Sequence, residues 1–318
     1  MSFGEDIKRK ALDMGFAAVG ITDAAAINAQ EIEVLAEWLR SGYAGQMAYM
    51  ERNFEKRTNP RALLEGAQSV ICLALNYKCA RGGDDGKAET PRATGRIARY
   101  AQYEDYHFFI KKQLCRLVDF IACAAGRDFR FKLCVDSVPL AERSLAVRAG
   151  LGFIGKNHML INPAFGPEVF LAEIITDLAL ETDNPAKGSC SGCEKCIEAC
   201  PTGALRADGQ FDASRCISYL TIEHKDVVPD ELARSIGDRL FGCDECVLAC
   251  PLQKKAPAWG NRQFKFYGDR QRLVLDDVVV MTEECFESKF ADSPVKRLGL
   301  EALKRNARIC MENFRRNV

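Results

Sequence analysis

No part of this 318-residue chain reaches the roughly 18 uninterrupted apolar residues that a transmembrane helix needs, so no membrane span is expected. The N-terminus, Met-Ser-Phe-Gly-Glu-Asp-Ile-Lys, lacks an apolar signal core and a twin-arginine pair. Export is therefore not expected, and a reducing cytoplasm is the expected location. An excess of charge is also missing: 44 Lys and Arg balance 44 Asp and Glu. That excludes a whole-surface binder of polyanions but leaves room for a local basic face. The dinucleotide fingerprint is absent in its working form. Gly150-Leu-Gly152-Phe-Ile-Gly155 has the glycine spacing but follows a helix-like segment, whereas nucleotide binding needs strand, turn and helix in that order. These glycines read as a tight turn.

Cysteine is abundant. Of fifteen, eight lie between residues 190 and 250. Cys190-x2-Cys193-x2-Cys196-x3-Cys200-Pro201 is the run that closes on cubane iron–sulfur clusters. Cys243-x2-Cys246-x3-Cys250-Pro251 is a second run without its leading ligand, which is read as Cys216. The 26 residues between Cys216 and Cys243 form a long insert that a helical path would fold back. The fourth cysteine of each run turns towards the other cluster. One [4Fe–4S] cluster is then assigned to Cys190, Cys193, Cys196 and Cys250, and the other to Cys200, Cys216, Cys243 and Cys246. Structural zinc uses paired hooks with a spacer and does not call for three hooks ending in Cys-Pro. The remaining seven (Cys72, Cys79, Cys115, Cys123, Cys134, Cys285, Cys310) read as small hydrophobes.

The pattern before the cysteines alternates helix and strand. Helices are expected over 4–15, 31–41, 105–125 and from Pro139 to Ala149, with Phe108, Phe109, Leu114, Leu117 and Ile121 inward on the third. Strands are expected over 16–22, 69–76, 130–135 and 168–176, and Ser69–Asn76 is apolar throughout, as for a strand covered on both faces. Residues 80–95, with Gly82, Gly83 and Gly86, read as a surface loop. The fold class is α/β (α+β): residues 1–180 form the larger domain, 181–258 a two-cluster ferredoxin-like module, and 259–318 a short, charged helical tail. Paired clusters relay single electrons, and about 180 residues precede them, more than a carrier needs. A catalytic domain with its own electron supply is inferred.

The chain resembles the epoxyqueuosine reductases, cobalamin-dependent iron–sulfur enzymes that finish queuosine synthesis in tRNA. The matching segments are Gly42–Tyr49, Gly95–Tyr100, Asp105–His107, Val135–Pro139, Gly150–Asn157, Cys216–Glu223 and Phe241–Cys246. The displaced Cys216 is itself the family's arrangement. The resemblance implies a nitroreductase-like cobalamin-binding domain ahead of the cluster module. It implies cobalamin contacts at Arg57, Arg99, Asp136, Lys156, Asn157, Ser218, Thr221 and Asp244, and it makes Asp136 the proton donor. A carboxylic acid in that role needs a raised pKa, which an apolar corrin-lined pocket would give. On spacing alone Asp136 would be a helix N-cap, since Pro139 and Glu142 follow. His107 is given a helix-face polar role and His158 a pocket-lining or packing role, because no D-x-H-x-x-G ligation signature is present.

The resemblance also implies tRNA as partner, an external low-potential electron donor, and action as a monomer. Many family members continue beyond the region of Arg305 into a helical repeat, so the short C-terminus is an expected departure. The candidate tRNA surface comprises Arg52, Lys56, Arg57, Arg61, Arg92, Arg96, Lys254, Lys255, Arg262, Lys265 and the basic stretch from Lys296 to Arg305. Tyr100, Tyr103, Tyr106 and Tyr219 are candidates to flank a splayed base. Rival readings are a reductive dehalogenase, which would usually carry a twin-arginine signal, a non-catalytic two-cluster electron-transfer protein, and a cobalamin chaperone.

Overall fold

The computed structural model describes residues 2–79, 92–258 and 263–316. The glycine loop of Gly82, Gly83 and Gly86, and Arg262, lie outside them. Nine strands are found among the described residues: β1 (Ala18–Asp23), β2 (Ser69–Asn76), β3 (Thr94–Ile97), β4 (Phe131–Cys134), β5 (Phe153–Ile154), β6 (Leu160–Ile161), β7 (Val169–Thr176), β8 (Arg239–Phe241) and β9 (Arg272–Val274). The helices that matter below are α1 (Phe3–Asp13), α2 (Ala29–Arg40), α3 (Tyr106–Ala125), α4 (Glu142–Arg148), α5 (Ile217–Ile222), α6 (Glu283–Phe290) and α7 (Leu300–Arg316).

The main sheet runs β1-β2-β7-β4, and every pairing in it is antiparallel. β2 is buried along its whole length because the sheet is covered twice. Ile71, Leu73 and Leu75 enter one core with α1 and α3, while Val70, Cys72 and Ala74 enter another beneath α4. Alternate residues of a strand point to opposite faces, so a two-sided cover needs apolar residues at both parities. The unbroken apolar run does signal that cover, though not a parallel sheet. On α3, Phe109, Leu114, Leu117 and Ile121 are buried, but Phe108 is 75% exposed. It lies on the solvent side of the helix.

α4 begins at Glu142, three residues later than the proline suggests. Residues 136–141 are held out of the helix by outside partners: the Asp136 N–H donates to Glu142 Oε1 at 2.8 Å and the Ala141 N–H to the Arg57 carbonyl at 2.9 Å. Gly150–Gly155 forms no nucleotide loop. It leads into the β5–β6 hairpin, where a Cβ on Gly152 would lie 2.3 Å from the Ile161 carbonyl oxygen.

The segment after residue 263 is no peripheral tail. β3 pairs with β8 in parallel and with β9 antiparallel, and this small sheet packs with α5, α6 and α7 in a second core. Leu300, Leu303, Ala307 and Cys310 form the buried stripe of α7. Asn306, also buried, donates to the carbonyls of Thr221 (2.8 Å) and Leu240 (3.1 Å). Segments from 1–180, 181–258 and 259–318 thus meet in one sheet, and the three stretches do not map onto separate cores.

Candidate functional site

β4 ends at Cys134, and two residues later the chain enters a left-handed conformation at Asp136, with φ +50°. Such backbone is uncommon outside glycine and is kept where surrounding contacts enforce it. Those contacts come from the first turn of α3. The Tyr106 hydroxyl donates to Asp136 Oδ2 at 2.6 Å, and His107 Nε2 lies 3.2 Å from the same oxygen. His107 Nδ1 lies 2.7 Å from Asp105 Oδ1, and Asp105 also caps the helix through the His107 N–H. Tyr106 is stacked between Phe170 and His107. The Asp136 side chain is thus turned onto Tyr106 and His107 and does not cap α4, so the N-cap reading fails. His107 sits inside the site and is not merely a polar residue on a helix face.

The electrostatics of this trio correct a second expectation. Burial works against charge on His107, but the hydrogen bonds and charges of Asp105 and Asp136 outweigh it and lift the imidazole to about 9. Burial would likewise raise Asp136. Hydrogen bonds from His107 and Tyr106, with the positive charges of His107 and Arg297, more than offset this and hold the carboxyl below its ordinary value. The carboxylate is ringed by protein groups yet 52% exposed, as on the floor of an open cleft. At neutral pH the proton therefore rests on His107, and Asp136 is ionised.

Around this floor stand further groups that carry charge. Arg57 has a buried Nε with no hydrogen-bond partner, and the charges of Tyr49, Glu142 and Asp136 act on it. Arg143 is within charge range of Glu142, Asp136 and Cys246, which links the aspartate loop to the cysteines. Tyr49 and Arg297 bond to each other, and Arg297 also pairs with Glu223. Tyr100 feels both Asp136 and Asp244. Of the four tyrosines singled out from sequence, Tyr100 and Tyr106 reach the cleft. Tyr103 is stacked on Phe264 in the core, and Tyr219 is buried against Gly45, its phenol oxygen accepting from the Gln46 N–H. Tyr49, Arg143 and Glu142 were not identified from the sequence as site residues, only Tyr49 lay in a matching segment, and Arg297 was named only within the basic stretch offered to tRNA.

The cysteines gather in two sets. Cys196 lies within charge range of Cys190 and Cys193, and Cys250 and Cys190 pack together against Phe153 and Ile161. Cys246 lies within range of Cys243, Cys216 and Cys200. The Cys190–Cys193 turn uses left-handed backbone at Ser191 and Gly192. Backbone N–H groups of Thr202, Ala204 and Leu205 point at Cys200 and lower its pKa despite burial, as suits a thiolate ligand. Among the described residues, no three His, Cys, Asp or Glu side chains converge on a point that one metal ion would fill.

The other residues named from sequence are occupied elsewhere. The Lys156 N–H donates to Cys190 Sγ at 3.4 Å while its ammonium pairs with Glu194. Asn157 reaches the Cys246 carbonyl, and the Ser218 hydroxyl bonds to Cys216. Thr221 is buried, donating to the Ile217 carbonyl and accepting from the Gly242 N–H. Asp244 accepts the Arg99 N–H at 2.7 Å, and the Arg99 guanidinium pairs with Glu168. Arg99 and Asp244 also line a separate small cleft beside Cys243. His158 is half-buried beside Phe211, its pKa lowered by burial and by Arg143. In the basic set, Arg92 and Arg96 pair with acids, Arg61 bonds to the Ala67 carbonyl, and Arg305 is spent on the carbonyls of Leu220, His224 and Asp226.

A carboxylate–imidazolium pair in a cleft, linked through Arg143 to one of two gathered sets of thiols, defines the class: an iron–sulfur oxidoreductase. The comparisons with known proteins narrow it. Residues 189–253 match the 4Fe-4S double cluster binding domain, and residues 57–137 match the family described as epoxyqueuosine reductase QueG, DUF1730. The epoxyqueuosine reductase of Cyclobacterium marinum is 39% identical over 94% of each chain. The structure of epoxyqueuosine reductase from Streptococcus thermophilus superposes with TM-score 0.89 at 29% identity, over 99% of this chain and 82% of that one. A crystal structure of epoxyqueuosine reductase with an epoxyqueuosine-modified tRNA-Tyr stem loop gives TM-score 0.87 at 33% identity, over 98% and 81%. The chain belongs to the epoxyqueuosine reductase family. No helix among the described residues is long and apolar enough to cross a membrane.

Proposed function

We propose that this protein reduces epoxyqueuosine in the anticodon of tRNA to queuosine. The reaction consumes two electrons and two protons, turns the epoxide into an alkene, and releases the oxygen as water. The observation that carries this reading is the likeness, over nearly the whole chain, to an enzyme held in a crystal with the epoxyqueuosine-modified stem loop. The cysteine sets assigned above would hold two [4Fe–4S] clusters, which when bound would supply single electrons from an external low-potential donor. The residues of the cleft fit a corrin: the unpartnered Arg57 Nε and the Arg143 guanidinium, near Asp136 and Cys246, suit its amide and phosphate groups. Cobalamin bound there would contribute a strongly reducing, nucleophilic cobalt, and that chemistry belongs to the cofactor.

The chain's own residues handle the proton. The His107 imidazolium passes its proton across the 3.2 Å contact to Asp136, which relays it to the departing oxygen, and reprotonation of His107 from solvent readies the second proton that releases water. The Tyr106 hydroxyl fixes the carboxylate, and Asp105 fixes the imidazole. Arg52 and Lys56, exposed on the segment that carries Tyr49 and Arg57, offer phosphate contacts beside the cleft. The stretch 1–180 bears the substrate, 181–258 the clusters, and 259–318 closes the frame. The protein works as a monomer in the cytoplasm.

Asp136→Asn keeps the shape of the carboxylate but cannot pass a proton. It is expected to retain both clusters and lose turnover of epoxyqueuosine-containing tRNA by about 10²–10⁴-fold. Near-wild-type turnover would remove Asp136 from the mechanism.

A further inference from the structure

A polar row crosses the main sheet where the core is otherwise apolar. Gly20, Cys72, Glu173 and Cys134 are register neighbours on β1, β2, β7 and β4. Cys72, Glu173 and Cys134 are fully buried, in the layer that packs under Leu145, Ala146 and Ala149 of α4. Neither carboxyl oxygen of Glu173 has a hydrogen-bond partner as a carboxylate. The group it meets is the carboxyl of Glu142. Two carboxyls bond only through a proton held between them, because each is otherwise an acceptor. Glu142 is engaged on its other side, where Oε1 accepts the backbone N–H of Asp136 at 2.8 Å.

We propose that Glu173 and Glu142 share one proton, and that this proton fixes Glu142 as the acceptor that holds the Asp136 loop in its left-handed conformation. Both are positioning residues, and their effect on turnover rests on the proposed role of Asp136. The surroundings favour one shared proton. Glu142 faces Asp136, Arg143 and Arg57, and Glu173 faces Glu142, Asp136 and the two thiols, with Lys132 beyond Cys134 and Arg148 beyond Cys72. Among the described residues, the charges that act on Glu173 are those of Glu142 and Asp136 and none is a cation. Burial and the charge of Asp136 push Glu142 up to about 7, and burial beside Glu142 takes Glu173 well above the usual carboxylate range. Loss of the proton would set two carboxylates against each other and free the Asp136 N–H.

The test is infrared spectroscopy of the cluster-loaded protein at neutral pH, without substrate. A protonated carboxylic C=O band is expected in the wild type and should vanish in Glu173→Gln. Glu173→Leu, which has no donor for Glu142, should lower kcat about tenfold, the cost of one hydrogen bond, with KM for tRNA little changed. Glu173→Gln restores a fixed N–H donor and should recover that loss, while removing the alkaline fall in kcat that belongs to the pair. Absence of the band in the wild type, or its persistence in Glu173→Gln, overturns the shared proton. Full kcat in Glu173→Leu overturns the positioning role. Should Glu173→Leu fail to load its clusters, Glu142→Gln decides: it keeps an acceptor for Asp136 and should also lose the band, and a band that stays overturns the proposal. A fully active Asp136→Asn with the band intact would instead remove Asp136 from the mechanism and leave the shared proton standing.

Discussion

His107 is the group whose titration most directly probes the site. With three histidines in the chain, its imidazole resonances can be followed by NMR against pH in the cluster-loaded protein. The ring stands 2.7 Å from Asp105 and 3.2 Å from Asp136, and it is expected to titrate at about 9 in place of 6.5. A rise of about 2.5 pH units corresponds to at most ~3.4 kcal/mol. Asp136 is half-exposed and water screens its charge, so about 1–2 kcal/mol is the fairer figure. Because the folded value is raised, this stabilisation is complete below about 6.5 and is lost as the pH rises through about 9. Asp136 adds the opposite limb: its folded value is lowered, so its contribution is present above 3.8 and is lost as the pH falls below that. Asp136→Asn should drop His107 by about 1 pH unit, the lower end of what a charge at hydrogen-bond distance does. Asp105→Asn, which removes the closer partner, should drop it further. Titration of wild-type His107 at or below 6.5 would refute the ion pair, and with it the argument that the proton waits on the imidazole.

Two other substitutions test the cluster module and the frame around it. Cys216→Ala should lower bound iron from about eight atoms per chain towards about four, measured by iron analysis after anaerobic reconstitution. An unchanged value would remove Cys216 from the ligand set. Asn306→Leu leaves the carbonyls of Thr221 and Leu240 without their buried donor and should destabilise the second core by about 1–3 kcal/mol. Thermal melting that matches the wild type would show that α7 is held by its apolar stripe alone.

How much of this could be read from the sequence depends on the range over which each signal acts. The gathering of the cysteines was legible because their spacing is local, and that of Cys216 because its segment matched a family pattern. β2 was legible because a strand buried on both faces must be apolar at both parities. The closing segment was not, because its burial depends on partners far away in the chain. Charged residues surround the stripe of Leu300, Leu303, Ala307 and Cys310, and it is the packed second core, with Leu240, Leu275, Val278 and Ile236, that reveals which side of the helix is covered.

Asp136 shows the same limit at the level of a single side chain. Its place after a strand suggested burial, and burial alone would have kept it protonated. Its ionisation instead follows from two neighbours on α3, 29 and 30 residues away in sequence, whose side chains converge on it only once α3 packs against the sheet. The charge state of a site residue is therefore a tertiary property even where its identity is a local one. The pair Glu142–Glu173 makes the point from the other side. Glu142 was named from sequence only as a residue downstream of a capping Asp136, and the bond it makes is to the Asp136 backbone N–H. Nothing in the local sequence indicates that its second partner is a fully buried carboxyl on β7. Sequence thus marked the carboxyls, while their partners in the fold govern their charge.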